Sequence, residues 1–161
     1  MTNFSDKVNF IWSVADLLRH DYKQHEYGQV ILPLTVMRRM DAALEASKND
    51  VLTKIKELKV ENKDPILFKI TGYNFYNSSK YTFKKLLDDP DKIALNLQNY
   101  INGFSKDAKE ILEHFKFHEQ ISRLDKSNVL YLVVKKFTEP AIDLHPDVVS
   151  NIEMGYIFEE L

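Results

Sequence analysis

Apolar residues recur along most of this chain at the spacing of an α-helix, and few residues interrupt that spacing. A typical stretch is 51–58, in which the apolar positions are Val51, Leu52, Ile55 and Leu58. Glycine and proline, which disfavour helix interiors, number only four and five among 161 residues. No segment shows the sustained alternation of a β-strand. The sequence therefore predicts a mostly α-helical, multi-helix globular domain with about seven to nine helices.

The composition fits one folded domain over residues 1–161. The chain is 44% hydrophobic and 29% charged, which provides enough apolar material for a core. The absence of cysteine excludes disulfides, thiolate metal sites and a cysteine nucleophile. Neither a membrane-spanning run of about 18 apolar residues nor a secretory signal is present, so we expect no membrane association and a cytoplasmic location.

Side-chain caps predict where helices begin in the second half of the chain. Thr82 is expected to cap a short helix, and Ser150 with Glu153 forms a capping box. The helix after Ser150 has apolar residues at the spacing of one face, namely Met154, Ile157, Phe158 and Leu161. Because no helix stop signal follows, we expect this chain to be cut from a longer protein.

The least regular stretch lies between residues 62 and 82. A third helix is predicted over 49–62, with lysines that include Lys48 on a solvent-exposed face. Asp64-Pro65 is expected to interrupt it. Residues 66–81 are then interpreted as an irregular connection, with a short hairpin around 70–82 as an alternative.

The motifs that bind nucleotide cofactors are absent from the sequence. Gly28, Gly72, Gly103 and Gly155 lie far apart, so no glycine-rich phosphate loop can be assembled from neighbouring residues. We predict no catalytic residue and no cofactor-binding residue in these 161 residues.

Two histidines have the spacing of metal ligands. His114 and His118 would share a helix face if one helix carried both. Only generic glutamates are near them in sequence, so we interpret both as surface histidines and predict no metal site.

The stretch from Tyr73 to Lys85 has residue types that contact nucleic acid. Its tyrosine rings could stack on bases, and its lysines could bind phosphates. The candidate contact residues for DNA or a protein partner are Tyr76, Lys80, Tyr81, Lys84 and Lys85. The alternative is a packed loop whose aromatic residues anchor it to the core.

Arg38 and Arg39 are two further candidate contact residues. They could bind phosphate or a partner's carboxylate, although a solvated helix face next to Asp41 and Glu45 would explain them equally well. The charge distribution is compatible with contact between the domain body and a polyanion, since residues 1–138 hold 22 basic and 18 acidic residues, although this excess is far smaller than that of a dedicated nucleic-acid binder. From Glu139 onward there are six acidic residues and no lysine or arginine.

Four stretches, in their order and spacing, carry a family resemblance. They are Phe10–Arg19, Val30–Asp41, Tyr100–Ser105 and Asp143–Leu161. Together they resemble the N-terminal helical domain of the modification subunit of type I restriction–modification systems.

The resemblance implies that the full-length protein is a site-specific DNA methyltransferase, adenine-specific, that uses S-adenosylmethionine. Its catalytic domain would carry a glycine-rich loop and an Asn-Pro-Pro-aromatic motif for the flipped adenine. No proline here follows an asparagine, so these residues alone are expected to transfer no methyl group.

The resemblance also implies an assembly role in the cytoplasm of a prokaryote. The partners would be a specificity subunit, a second modification subunit and, in the full complex, a restriction subunit. The domain would help to close this complex around double-stranded DNA, with weak and nonspecific DNA binding of its own. The alternative is a stand-alone helical interaction or regulatory protein that reuses the domain.

Overall fold

The chain folds into a succession of helices joined by short connections. A computed structural model describes residues 4–139 and 142–159. Its α-helices are α1 (Phe4–Leu18), α2 (Gly28–Leu44), α3 (Lys48–Glu57), α4 (Asp64–Thr71), α5 (Phe83–Leu86), α6 (Ile93–Asn102), α7 (Lys106–His114), α8 (Phe117–Lys126), α9 (Leu130–Lys136) and α10 (Asn151–Glu159). Single turns of 3₁₀-helix lie at Gln24–Glu26, Glu45–Ser47 and Pro90–Lys92.

The predicted fold class is confirmed. Of the ten α-helical segments in the described residues, α5 is a single turn of four residues and the other nine are longer. Residues 4–139 and 142–159 form no β-strand, so the hairpin considered around 70–82 is not found there. The only strand-like pairing in this part is an isolated antiparallel bridge between Asn77 and Phe104. Within the described ranges, no helix is both long and apolar enough to cross a bilayer.

The main core lies where α1, α2, α6, α8 and α9 meet. Helix α2 packs against α1 and α8, and α9 packs against α1, α5, α6 and α8. Phe10 of α1 meets Phe137, at the end of α9, edge-to-face with ring centroids 5.0 Å apart. Leu34 of α2 and Leu97 of α6 are fully buried in the same cluster. Burial of this apolar area provides most of the stabilisation of such a fold.

The prediction for residues 49–81 is wrong in part. Helix α3 ends at Glu57, earlier than predicted, and α4 occupies 64–71 where an irregular connection was expected. Asp64-Pro65 starts a helix because the first turn tolerates proline, whose missing N–H would have no helical partner there. Gly72 then ends α4 in the left-handed conformation, with φ of 77°.

The predicted helix starts are confirmed at two positions. The backbone N–H of Lys85 donates to Thr82 Oγ1 at 3.2 Å. In the capping box, the N–H of Glu153 donates to Ser150 Oγ at 3.1 Å and the N–H of Ser150 donates to Glu153 Oε1 at 3.4 Å. Met154, on the apolar face of this helix, is buried. Leu161 and the side chains of Ile157 and Phe158 lie outside the described part of the chain.

The turn between α6 and α7 packs closely against the 72–82 segment. The N–H of Ser78 donates to the carbonyl of Gly103 at 2.8 Å. A Cβ atom on Gly103 would lie 2.7 Å from the backbone nitrogen of Ser79 and 3.0 Å from Asn77 Oδ1. A glycine is therefore needed at 103 for this contact, because two backbone segments meet there.

We expect the substitution Gly103→Ala to destabilise the domain by about 1–3 kcal/mol, since the added methyl group must push the two segments apart. Gly28→Ala is the matched control, because a Cβ there would meet only Leu32 Cδ1 at an ordinary 3.7 Å. Urea unfolding followed by circular dichroism measures both changes. Equal stability of the two variants would contradict the close-packing explanation.

Candidate functional site

The arginine-containing part of α2 is built around one buried carboxylate. Asp41 is 7% exposed, and its Oδ1 accepts hydrogen bonds from Tyr100 Oη at 2.9 Å and the backbone N–H of Phe83 at 3.3 Å. Its Oδ2 accepts from Arg38 Nη1 at 2.6 Å. Burial raises the pKa of Asp41, whereas these three donors oppose the rise. The carboxylate therefore joins α2, α5 and α6.

Arg38 extends this network to α9. Its Nε donates to the carbonyl oxygen of Phe137 at 2.9 Å, and its guanidinium carbon lies 5.8 Å from the centre of the Phe83 ring. Only 12% of its side chain is exposed. The interpretation of Arg38 as part of a solvated helix face is therefore wrong, because its donors are used within the domain.

Arg39 binds the segment that leads into α10. Its Nη1 donates to the carbonyl oxygens of Leu144 and Val149, at 3.1 and 2.6 Å, and its Nη2 donates to Asn151 Oδ1 at 3.0 Å. Partial burial lowers the pKa of the guanidinium, which nevertheless keeps its charge. Arg39 thus holds residues 144–151 against α2.

Lys48 is a second buried ion, which sequence analysis placed wrongly on a solvent-exposed face. Its side chain is 7% exposed, and its Nζ donates to Asn77 Oδ1 at 2.9 Å. The Nζ also lies 5.6 Å from the centre of the Tyr100 ring. Burial lowers the pKa of Lys48 to about 8. Asn77 continues the network by donating from Nδ2 to the carbonyl oxygen of Tyr100 at 2.8 Å.

The two candidate tyrosines contact the domain itself. Tyr76 Oη donates to Asp64 Oδ1 at 2.7 Å, and burial together with this hydrogen bond raises the pKa of Tyr76 to about 12. The carbonyl oxygen of Tyr76 accepts from the N–H of Ser105 at 3.0 Å. The half-buried ring of Tyr81 packs against the core. These contacts agree with the packed-loop alternative. The Tyr76 hydroxyl already donates its hydrogen bond within the domain.

The three candidate lysines remain exposed at the same end of the segment. Lys80 Nζ lies 5.2 Å from the centre of the Tyr81 ring. Lys84 Nζ lies 3.4 Å from Glu45 Oε1, in a pair whose two side chains are both more than half exposed. Lys85 is exposed and forms no ion pair with any described residue. Contact of any of the seven candidates with DNA or a partner stays a prediction.

The histidine pair lies on two different helices. His114 is the last residue of α7, and His118 lies in the first turn of α8. Between them Lys116 has a left-handed backbone conformation with φ of 53°, which breaks the i, i+4 relationship. In the part of the chain that the structure describes, no group of three or more histidine or carboxylate side chains could hold a metal ion.

Two open cavities flank the segment held by Arg39. The first, here called the apolar groove, has a volume of about 620 Å³. Its apolar and aromatic lining is formed by Val36, Met40, Ala43, Tyr73, Phe75, Pro146, Met154 and Gly155. The second, the acidic cavity, has a volume of about 510 Å³. Its charged lining is formed by Glu45, Glu139, Asp143, Asp147, His145, Arg38 and Lys84.

Fold and site together define an all-helical domain whose buried ions hold its helices in place. A model of the HsdM N-terminal domain family matches residues 7–137, which is most of the chain. The chain therefore belongs to this family, the N-terminal domain of the modification subunit of type I restriction–modification systems. Searches of curated proteins and of solved structures gave no match.

The matched residues include three of the four stretches that carried the resemblance, namely 10–19, 30–41 and 100–105. Residues 30–41 contain Arg38, Arg39 and Asp41, and residues 100–105 contain the Tyr100 hydroxyl that binds Asp41. Both stretches therefore build the buried network. The fourth stretch, 143–161, lies beyond the matched residues.

Replacing Lys48 with methionine should change how stability depends on pH. The folded state lowers the Lys48 pKa from 10.5 to about 8, so between these values the unfolded chain holds more protons and the stability of the wild type rises with pH. The free energy of unfolding of the wild type, minus that of Lys48→Met, should increase by about 1–3 kcal/mol between about pH 7 and pH 10.

Urea unfolding at several pH values measures this difference, and the tyrosines with raised pKa values contribute equally to both proteins. A difference that is constant or falls with pH would show that Lys48 is not a buried ammonium.

Proposed function

We propose that this domain assembles the type I modification complex and helps to close it around DNA. The observation that carries the proposal is the family match over residues 7–137. The partners in this proposal are a specificity subunit and a second modification subunit, with a restriction subunit in the full complex, in the cytoplasm of a prokaryote. The specificity subunit would read the bases, so this domain needs only contacts that are independent of sequence.

The DNA contacts in this proposal come from Lys80, Lys84 and Lys85 rather than from the two arginines. The guanidinium groups of Arg38 and Arg39 donate to groups within the domain, and withdrawing them would leave a buried carboxylate or buried carbonyl oxygens without donors. The three lysines are exposed, and only Lys84 has an acidic partner among the described residues. Such lysines bind phosphates through charge alone.

The methyl donor of the parent enzyme is proposed to bind in another part of the modification subunit. A glycine-rich loop for S-adenosylmethionine follows a strand, and the described residues contain neither. Gly72 ends α4, Gly103 packs against Ser79, and Gly28 and Gly155 lie within helices. The residues of this domain therefore do not fit the cofactor, and we derive no methyl transfer through them.

The test is a titration of the chain with double-stranded DNA of unrelated sequences at several salt concentrations. We expect weak binding at low salt, with a dissociation constant on the order of 10⁻⁴ to 10⁻⁶ M, that does not depend on sequence and disappears near physiological ionic strength. The triple variant Lys80→Gln, Lys84→Gln, Lys85→Gln should lower the slope of log K against log salt by about 2–3.

The matched control removes three exposed lysines from the α3–α4 region, with the substitutions Lys56→Gln, Lys59→Gln and Lys69→Gln. This control changes the net charge by the same amount as the variant at 80, 84 and 85. We expect it to keep most of the wild-type slope of log K against log salt. Tight, sequence-specific binding by the isolated domain would contradict the proposal. An equal loss in both triple variants would show that net charge, and not the 80–85 surface, binds the DNA.

A further inference from the structure

The apolar groove lies between one face of α2 and one face of α10. Its lining residues on these helices recur at the i, i+3, i+4 spacing of a single helix face, and they are Val36, Arg39, Met40 and Ala43 on α2 and Asn151, Met154 and Gly155 on α10. Gly155 supplies no side chain to fill the space, and a Cβ atom there would meet no described atom within 4 Å. A cavity of about 620 Å³ is within the range of sites that hold small organic ligands.

Aromatic and thioether side chains give the groove its apolar character. The rings of Tyr73 and Phe75 lie 5.2 Å apart, centre to centre, and both are half-buried against the core. Met40 and Met154 line the same space with flexible thioethers, which pack well against aromatic rings. The lining therefore favours a ligand with a flat aromatic body.

Arg39 brings a positive charge to this apolar lining. Among the described residues it is the only charged residue that lines the groove, and it forms no ion pair with a described carboxylate. Glu153, whose carboxylate opposes the lowering of the Arg39 pKa, forms its ion pair with Lys7 at 3.1 Å instead. Partial burial lowers the pKa of Arg39 because the charge loses hydration, and a ligand carboxylate beside the guanidinium would offset that loss. The groove therefore favours an anion.

Two polar groups in the groove have further hydrogen-bond donors. A guanidinium has five N–H donors, and Arg39 uses three of them on Leu144, Val149 and Asn151, with no described residue accepting from the others. Asn151 accepts from Arg39 through Oδ1, and within the described ranges its Nδ2 amide donates to no other residue. Both groups can therefore donate to one carboxylate without loss of the contacts that hold residues 144–151.

We propose that the apolar groove binds a small aromatic monocarboxylate, with its ring between α2 and α10 and its carboxylate on Arg39 and Asn151. A single carboxylate matches a lining with one cation, whereas a phosphate monoester would bring a second negative charge into apolar surroundings without a partner. Lys80, Lys84 and Lys85 are not among the residues that line the groove, so this inference does not depend on the DNA contacts proposed above.

The probe is 2-naphthoate, and its neutral counterpart with the same ring is 2-naphthamide. Isothermal titration calorimetry at neutral pH measures the binding of each to the wild-type chain. We expect 2-naphthoate to bind with a dissociation constant on the order of 10⁻⁴ M or below, which is typical of ligands of this size. The neutral 2-naphthamide should bind at least about tenfold more weakly, because it cannot form charge-assisted hydrogen bonds with Arg39.

The substitution Asn151→Asp tests the polar end of the site. The new carboxylate keeps an oxygen for Arg39 Nη2, so α10 should stay in place, but it neutralises the guanidinium and removes the Nδ2 donors. We expect 2-naphthoate to bind at least about tenfold more weakly, with little change for 2-naphthamide. The matched control, Asn49→Asp, adds the same charge at an exposed position in the first turn of α3 and should change the affinity by less than about threefold.

The substitution Gly155→Leu tests the apolar end of the site. Leucine favours a helix more than glycine does, so the variant should stay folded while its side chain occupies the recess. We expect it to bind 2-naphthoate at least about tenfold more weakly than the wild type. Gly155→Ala adds only one methyl group in open space and should bind within about threefold of the wild type. Circular dichroism checks that each variant is folded.

Equal affinity for the two probes, or no binding of either, would overturn the inference. So would a loss in Asn49→Asp equal to that in Asn151→Asp, or full binding by Gly155→Leu. Analytical ultracentrifugation of the wild-type chain provides a further test. Self-association that Gly155→Leu abolishes would also overturn the inference, since a second copy of the chain would then occupy the groove.

Discussion

The buried carboxylate of Asp41 is the constraint on which the arrangement of the helices depends. An ion removed from water costs several kcal/mol unless charge and hydrogen bonds compensate it. Here compensation requires three donors from different parts of the chain, namely Arg38 of α2, Phe83 of α5 and Tyr100 of α6. Because Arg38 also binds the carbonyl oxygen of Phe137, the position of α9 depends on the same carboxylate.

The buried Lys48 and the partly buried Arg39 extend this arrangement to the periphery. Lys48 holds Asn77 and through it the 72–82 segment, and Arg39 holds residues 144–151 and with them the start of α10. In the described ranges, every buried side-chain nitrogen or oxygen has a hydrogen-bond partner. The network therefore fixes the positions of these segments, and the exposed Lys80, Lys84 and Lys85 lie outside it.

The parts of the fold that depend on local signals could be predicted from the sequence. Helical periodicity predicted the fold class, and the capping residues Thr82 and Ser150 correctly marked two helix starts. Helix α4 was missed because Asp64-Pro65 signals a helix start as readily as a break, and only the left-handed Gly72 at its far end distinguishes the two. His114 and His118 would share a face only if one helix carried both, and the left-handed Lys116 instead places them on α7 and α8.

The buried ions could not be predicted, because burial of a charge depends on partners distant in sequence. Lys48 follows the pattern of a solvated lysine, and its amide partner lies 29 residues away. Asp41 follows Arg38 by three residues, a spacing equally typical of an exposed pair, and Tyr100 lies 59 residues further on. The family resemblance drew attention to the stretch that contains Arg38, Arg39 and Asp41. It did not show whether these side chains face a ligand or the core.

The most direct test of this account is the free energy of unfolding of Asp41→Asn, measured in urea beside Glu45→Gln. The first substitution leaves the Arg38 guanidinium buried without its counter-ion, so the account predicts a loss of about 3–5 kcal/mol. The second removes one partner of an exposed ion pair and should cost less than about 1 kcal/mol. Equal stability of the two variants would contradict the claim that the Asp41 carboxylate holds the helices together.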